Sequence, residues 1–213
     1  MTSMISNVQS DEANFVNSTL QALGSISVDQ FKFLYNNTKK GAKCVDIKPC
    51  LSFMVKNRQI RFYGANSDVI IPYFSPKADM KQILCNWVAI DMHCGDDKRL
   101  DVTAFLEDVT TGDSPVFLSY VMDDILYNLV PVDSANLSKL LLVQERYVSK
   151  IAKIKPENRE RFTDHYCTVF VSNDPNIKKE VTGIGVTMPH KIAIVDKFYE
   201  DGKLPEVKYY TKK

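Results

Sequence analysis

Two short stretches of this 213-residue chain gather side chains that could do chemistry. Asp91-Met92-His93-Cys94-Gly95-Asp96-Asp97 combines a histidine, a thiol and three carboxylates, and Asp164-His165-Tyr166-Cys167 sets a second histidine beside a second thiol. A thiolate nucleophile with a distant imidazole as base, such as Cys94 with His165, would carry covalent catalysis, and the same donor types would ligate zinc. Each chemistry makes a demand on the element that positions it. On a strand, Asp91 and His93 share a face that Cys94 leaves, so His93 and Cys94 do not close on one ion without a bulge. His165 and Cys167 do share a strand face. Neither thiol opens a helix or sits in a glycine-rich elbow that would lower its pKa. The first cluster therefore reads as a polar strand end running into a Gly-Asp turn.

Asp123-Asp124 would offer two carboxylates to Mg²⁺, but no third acid or phosphate loop follows at a metal-binding interval, and a solvated turn is the better reading. The chain has no G-x-G-x-x-G, no Walker lysine loop, no H-E-x-x-H and no G-x-S-x-G. These absences point to a protein that works by contact: no catalytic residue, no metal, no cofactor and no small-molecule substrate are expected. The strongest cationic feature is Lys139, Arg146, Lys150, Lys153, Lys155, Arg159 and Arg161, interrupted by three glutamates. On one helix face these side chains would track phosphates, and they are the expected nucleic-acid-binding residues. A solvated helix face is the competing reading, because Tyr147 falls on the apolar side and aromatics for base stacking are few.

Charge is uneven along the chain. Net charge is +1, yet residues 91–133 carry two cations against ten carboxylates, while 1–90 carry ten against six and 134–213 fifteen against ten. An acidic centre with basic flanks suits nucleic-acid contact by a basic face, or attraction between copies. With 45% hydrophobic and 25% charged residues the composition is that of a folded domain. Five irregularly spaced cysteines read as reduced thiols. The N-terminus lacks the charged and apolar regions of a secretory signal, and no apolar run approaches the ~20 residues of a membrane span. Host cytoplasm or virion is the expected location.

Among the elements, residues 1–40 read as two helices. The first stops at Gly24, and the second opens on the Ser27-x-x-Gln30 capping box. After Cys44 come short β-rich runs: Leu51–Val55, Ile60–Tyr63, Val69–Ile71, Trp87–Met92, Leu100–Leu106, Val116–Val121, Tyr166–Ser172, Val181–Val186 and Lys191–Asp196. Turn residues between them predict hairpins. Leu137, Leu140, Leu141, Tyr147, Val148, Ile151 and Ile154 share a helical face up to Pro156, marking one inserted helix. Leu140–Val143 also fits a buried strand. The C-terminal Lys208-Tyr209-Tyr210-Thr211-Lys212-Lys213 reads as a contact arm or a frayed end.

The pattern from Phe62-Tyr63-Gly64 through Val69–Pro72, Trp87–Met92, Val102–Asp113 and Tyr166–Asp174 to the pair around His190 resembles the single jelly-roll coat proteins of icosahedral plant RNA viruses, of the cucumovirus and bromovirus group. The resemblance implies a jelly roll and a capsid subunit. It departs from that group in lacking an arginine-rich arm, since residues 1–40 hold only Lys32, Lys39 and Lys40 against Asp11, Glu12 and Asp29. The related jelly-roll movement proteins fit the neutral N-terminus better. The resulting expectation is a mainly β (α+β) chain: an antiparallel, jelly-roll-like β-sandwich with N-terminal helices and one inserted helix. Its division would be a helical arm at 1–41, a β-rich core at 42–199 and a tail at 200–213. The expected function is a non-enzymatic viral structural protein that self-associates and contacts RNA; the alternative is a single-stranded nucleic-acid-binding protein with a β-barrel core.

Overall fold

The computed structural model describes residues 2–38, 47–65, 68–94, 115–196 and 205–211. Its first helix, α1 (Thr2–Leu23), ends where Gly24 takes φ +62°, a backbone setting that a side chain would strain. The two-residue strand β1 (Ile26–Ser27) follows, then α2 (Val28–Thr38). The capping box forms as expected: the Gln30 N–H donates to Ser27 Oγ and the Ser27 N–H to Gln30 Oε1, both at 3.0 Å. Gln30 also donates from Nε2 to the Ile83 carbonyl at 2.6 Å, tying this end of α2 to a later helix.

That helix is α4 (Met80–Cys94), preceded by α3 (Lys48–Lys56), β2 (Ile60–Tyr63) and β3 (Val69–Pro72). The three short strands pair antiparallel in the order β1-β3-β2. A larger sheet follows. It is built from β4 (Leu118–Met122), β5 (Ile125–Pro131), β6 (Tyr166–Ser172), β7 (His190–Val195) and β8 (Val207–Thr211), in sequence order across the sheet. β5, β6 and β7 are mutually parallel, and β4 and β8 flank them antiparallel. Helices α5 (Ser138–Lys153) and α6 (Pro156–Asp164) make the first crossover and α7 (Ile177–Ile184) the second.

The parallel core requires two covered faces, and both are covered. Tyr127, Leu129, Cys167, Val169, Val171 and Ala193 face α4 and the N-terminal layer. Val130, Tyr166, Phe170, Ile192 and Ile194 face α5 and α7. The chain is thus α+β in three layers, with seven helices among the described residues and no closed barrel. This overturns the expected antiparallel jelly-roll sandwich, and with it the fold that the coat-protein resemblance implied.

Three expected strands are helices, for three separate reasons. Leu51–Val55 lies in α3, which Pro49 opens in its first turn, the helical position that tolerates a missing N–H. Trp87–Met92 lies in α4, which is buried on every side from Ile83 to Ile90 and so has no polar face to show a helical period. Val181–Val186 is mostly α7, with Ile177 and Val181 buried one turn apart and Gly185 at φ +72° ending the helix. The turn Asn173-Asp174-Pro175-Asn176 therefore leads into a crossover and not a hairpin. The strand expected at Leu100–Leu106 lies outside the described residues.

The inserted helix is present, but its buried face is Leu140, Val143 and Tyr147, and Leu141 and Val148 point outward at 50% and 54% exposure. Pro156 begins α6 in place of merely ending α5. Residues 207–211, read from sequence as an arm or frayed end, form the edge strand β8. The N-terminal helices are not an appendage to the sheet either, since Val16, Leu23, Phe31 and Leu34 share one core with Leu129 and Val169. Asn86 of α4 locks that join by donating from Nδ2 to the carbonyls of Leu23 and Ser25 at 3.2 and 2.9 Å. Among the described residues no helix is long and apolar enough to cross a membrane.

Candidate functional site

The reactive clusters come apart in the fold. His93 is on α4, not on a strand; its ring is buried, with Nδ1 at 3.0 Å from the Ala89 carbonyl and its edge against Tyr120. The strand-face argument separating it from Cys94 therefore does not apply, and residues 95–97 lie outside the described residues. Cys167 is buried, and burial pushes its thiol up to about 11 although Lys191 pulls it down, so it is held as the inert thiol. His165 precedes β6 in the α6 C-terminal turn, exposed, with Nδ1 at 2.8 Å from the Asp124 carbonyl. Asp123 and Asp124 form the β4–β5 turn, both exposed and both at positive φ (50° and 62°), which short aspartate side chains tolerate. Among the described residues no three His, Cys, Asp or Glu side chains converge on a metal-sized site.

The acidic centre is only partly in view. Of its ten carboxylates, Asp91, Asp123, Asp124 and Asp133 fall among the described residues. Asp133 takes Lys81 Nζ at 2.8 Å, and Asp91 takes the Tyr209 hydroxyl at 2.7 Å, both within the same chain. Burial raises the Asp91 carboxyl above its usual range, while the Tyr209 hydrogen bond pulls the other way. The folded chain thus holds this proton more tightly than the unfolded one. Its contribution to stability is full below the unfolded carboxyl pKa and is lost as pH rises through the folded one. Asp91→Asn is expected to flatten that loss in urea denaturations run from about pH 3.5 to 7. A pH profile identical to that of the unaltered chain would show that Asp91 does not titrate this way.

The basic stretch, by contrast, builds a surface. Lys139, Arg146, Lys150 and Lys153 fall at i, i+7, i+11 and i+14 of α5, one stripe about 21 Å long. Arg146, Lys150 and Lys153 line a cleft of about 530 Å³ together with Pro115 and Val116, and the buried Asn128 and Tyr166 form its floor. Lys139 extends the row, with Nζ 6.0 Å from the centre of the ring of Phe117, the residue after Val116. Lys150 and Lys153 make no ion pair with any described residue. Glu145 is the one carboxylate among the lining residues.

The remaining expected residues divide. Arg159 donates from Nε to the Ile154 carbonyl at 3.1 Å, so it closes the end of α5. Lys155 is the residue before α6. Arg161 lines a second hollow, of about 670 Å³, with Phe162, His165 and Asp124. One hollow stops at Lys153 and the other starts at Ile154.

Sequence reasoning found the cations and missed the floor. Tyr166 lies in the sequence between His165 and Cys167, but it packs against Tyr147 and Phe162 with ring centres 5.0 and 5.5 Å away. Asn128 belongs to no motif, and the signal that marks it is an amide inside the apolar run Leu126–Pro131. Comparison of the chain with protein-family models, with curated proteins and with solved structures finds no match.

Proposed function

We propose that this protein binds single-stranded nucleic acid along α5, without catalysing a reaction on it. The observation that carries this reading is the stripe of Lys139, Arg146, Lys150 and Lys153 bordering a cleft with a single carboxylate on its lining. Such a row neutralises successive phosphates and releases their counterions, a sequence-independent source of affinity. A single strand is favoured over a duplex, because a cleft of about 530 Å³ admits a nucleotide-sized group and not a double helix. This reading keeps the nucleic-acid partner and most of the residues expected from sequence but replaces the barrel surface with a helix-bordered cleft. The coat-protein reading draws no support from the three-layer fold.

The test is fluorescence anisotropy of a labelled oligonucleotide across salt concentration. Three or four phosphate contacts predict that log K falls against log salt with a slope of about −2 to −3. A slope near zero, or no binding at low salt, would reject the reading.

A further inference from the structure

The two edges of the large sheet are unlike. Along β4, Leu118, Ser119 and Tyr120 are buried, backbone included, so that edge is covered. β8 forms the opposite edge, and Lys208, Tyr209 and Thr211 are exposed along it. A free edge presents a row of backbone donors and acceptors, and the ladder decides which residues present them. The Asp196 N–H donates to the Glu206 carbonyl at 2.8 Å, which makes 196 and 206 a hydrogen-bonded pair. Such pairs alternate along an antiparallel ladder, and Ile194 lies opposite Lys208 and Ile192 opposite Tyr210. Lys208 and Tyr210 therefore direct their backbone groups at β7. The N–H and C=O of Val207, Tyr209 and Thr211 point the other way, where no described strand lies.

This edge is held in place and lightly guarded. The Tyr209 hydroxyl donates to Asp91 Oδ2 at 2.7 Å, and Lys178 Nζ lies 4.0 Å from the centre of the Tyr210 ring, so the strand is ordered before any partner arrives. Its register is unbroken from Val207 to Thr211, without bulge or proline. A lysine often guards an open edge, but Lys208 Nζ is answered within the chain by Asp196 at 3.3 Å and Glu206 at 3.7 Å. The outward groups are also self-complementary. When β8 pairs antiparallel with another β8 about Tyr209, Val207 lies opposite Thr211, Tyr209 opposite Tyr209 and Thr211 opposite Val207. Every outward residue then meets an outward residue, and each pair closes two hydrogen bonds. A register shifted by one residue sets outward groups against inward ones. Lys208 comes opposite Tyr210, a cation against an aromatic ring, and no like charges are opposed within the strand. We infer that two copies of this chain join through β8 about a two-fold axis, making one continuous sheet of their two large sheets. Directly opposed residues share a sheet face, so α5 and α7 of both copies lie on one side of the joined sheet. The contact does not depend on nucleic acid.

Sedimentation velocity from micromolar to submillimolar concentration, without nucleic acid, reads the association, and cysteine cross-linking reads the register. The unaltered chain is expected to pass from monomer to dimer as concentration rises. One strand pair is a small interface, so the dimer is a weak one. Thr211→Pro removes an outward N–H and no bond to β7, a place where an edge strand tolerates proline. It is expected to weaken dimerisation at least about tenfold, with circular dichroism and thermal melting unchanged. Tyr209→Cys sets two thiols directly opposite, with Cα atoms about 5.5 Å apart and inside the disulfide range, and is expected to give a covalent dimer under mild oxidation. Thr211→Cys offsets the two thiols by four residues, about 13 Å along the strand, and is expected to cross-link no more than the unaltered chain with its native cysteines. A strict monomer at every concentration overturns the inference. So does a dimer that a folded Thr211→Pro leaves unweakened, or one that cross-links equally in both cysteine variants, because the contact then lies on another surface. If Thr211→Pro does not fold, the pair of cysteine variants decides alone.

Discussion

Changing Lys150 and Lys153 together to alanine is expected to weaken single-strand binding by about a hundredfold at low salt. Both lysines are exposed, sit one turn apart on the cleft edge of α5 and have no carboxylate partner among the described residues, so their removal leaves no buried charge behind. A hydrogen bond to a charged group contributes about 1.5 kcal/mol, and two of them amount to about two orders of magnitude in affinity. The salt dependence gives a second readout that misfolding would not imitate. Each lost phosphate contact flattens the single-strand slope by about 0.7, so the pair should take it from about −2.5 to about −1. Glu145→Lys supplies the opposite arm, because replacing the lining carboxylate by a cation is expected to tighten binding and steepen the slope. Anisotropy at four or five salt concentrations decides both. An unchanged slope in the double variant would remove α5 as the contact surface.

The largest stability effect is expected at Phe170. This residue is fully buried in β6, the central strand of the large sheet, and belongs to the cluster that seats α5 and α7. Truncation to alanine removes the ring's transfer free energy and leaves a cavity that the flanking parallel strands cannot close. The cost should be about 3–5 kcal/mol, a large part of the total stability of a domain. Urea denaturation measures it, and a loss below about 1 kcal/mol would mean that β6 is not central. Leu141→Ser is the contrast. Side-chain periodicity alone would count Leu141 as a core residue of the helix, but at 50% exposure its replacement should shift stability by no more than about 0.5 kcal/mol.

Much of the local structure was written in neighbouring residues. The Ser27 and Gln30 caps, the stop at Gly24, β6 at Tyr166–Ser172 and the course of α5 each depend on interactions within a few positions, and each was legible without a fold. The spacing of Lys139, Arg146, Lys150 and Lys153 was equally local, since helical period alone sets them in a row. α3 and α7 carried helical signals too, Pro49 at the start of one and Gly185 at the end of the other. Their β-branched and aromatic residues outweighed these signals in a reading by strand propensity.

What the chain could not disclose locally was decided by partners far away in sequence. The apolar run in α4 is the same string for a buried helix as for a buried strand, and only its place between the large sheet and the N-terminal helices makes it a helix without a polar face. The parallel pairing of β5 with β6 and of β6 with β7 depends on crossovers that follow the strands, so turn residues such as Asn173-Asp174-Pro175-Asn176 looked like hairpins until α7 was in place. The cleft shows the same division. Its cations follow from one helix, whereas its floor needs Ser119, Asn128 and Tyr166 from three strands, and hydrogen-bond direction among them exists only once β4, β5 and β6 lie side by side. Composition and helical period by themselves determined that this is a folded chain with a cationic helix; the sheet order decided what that helix faces.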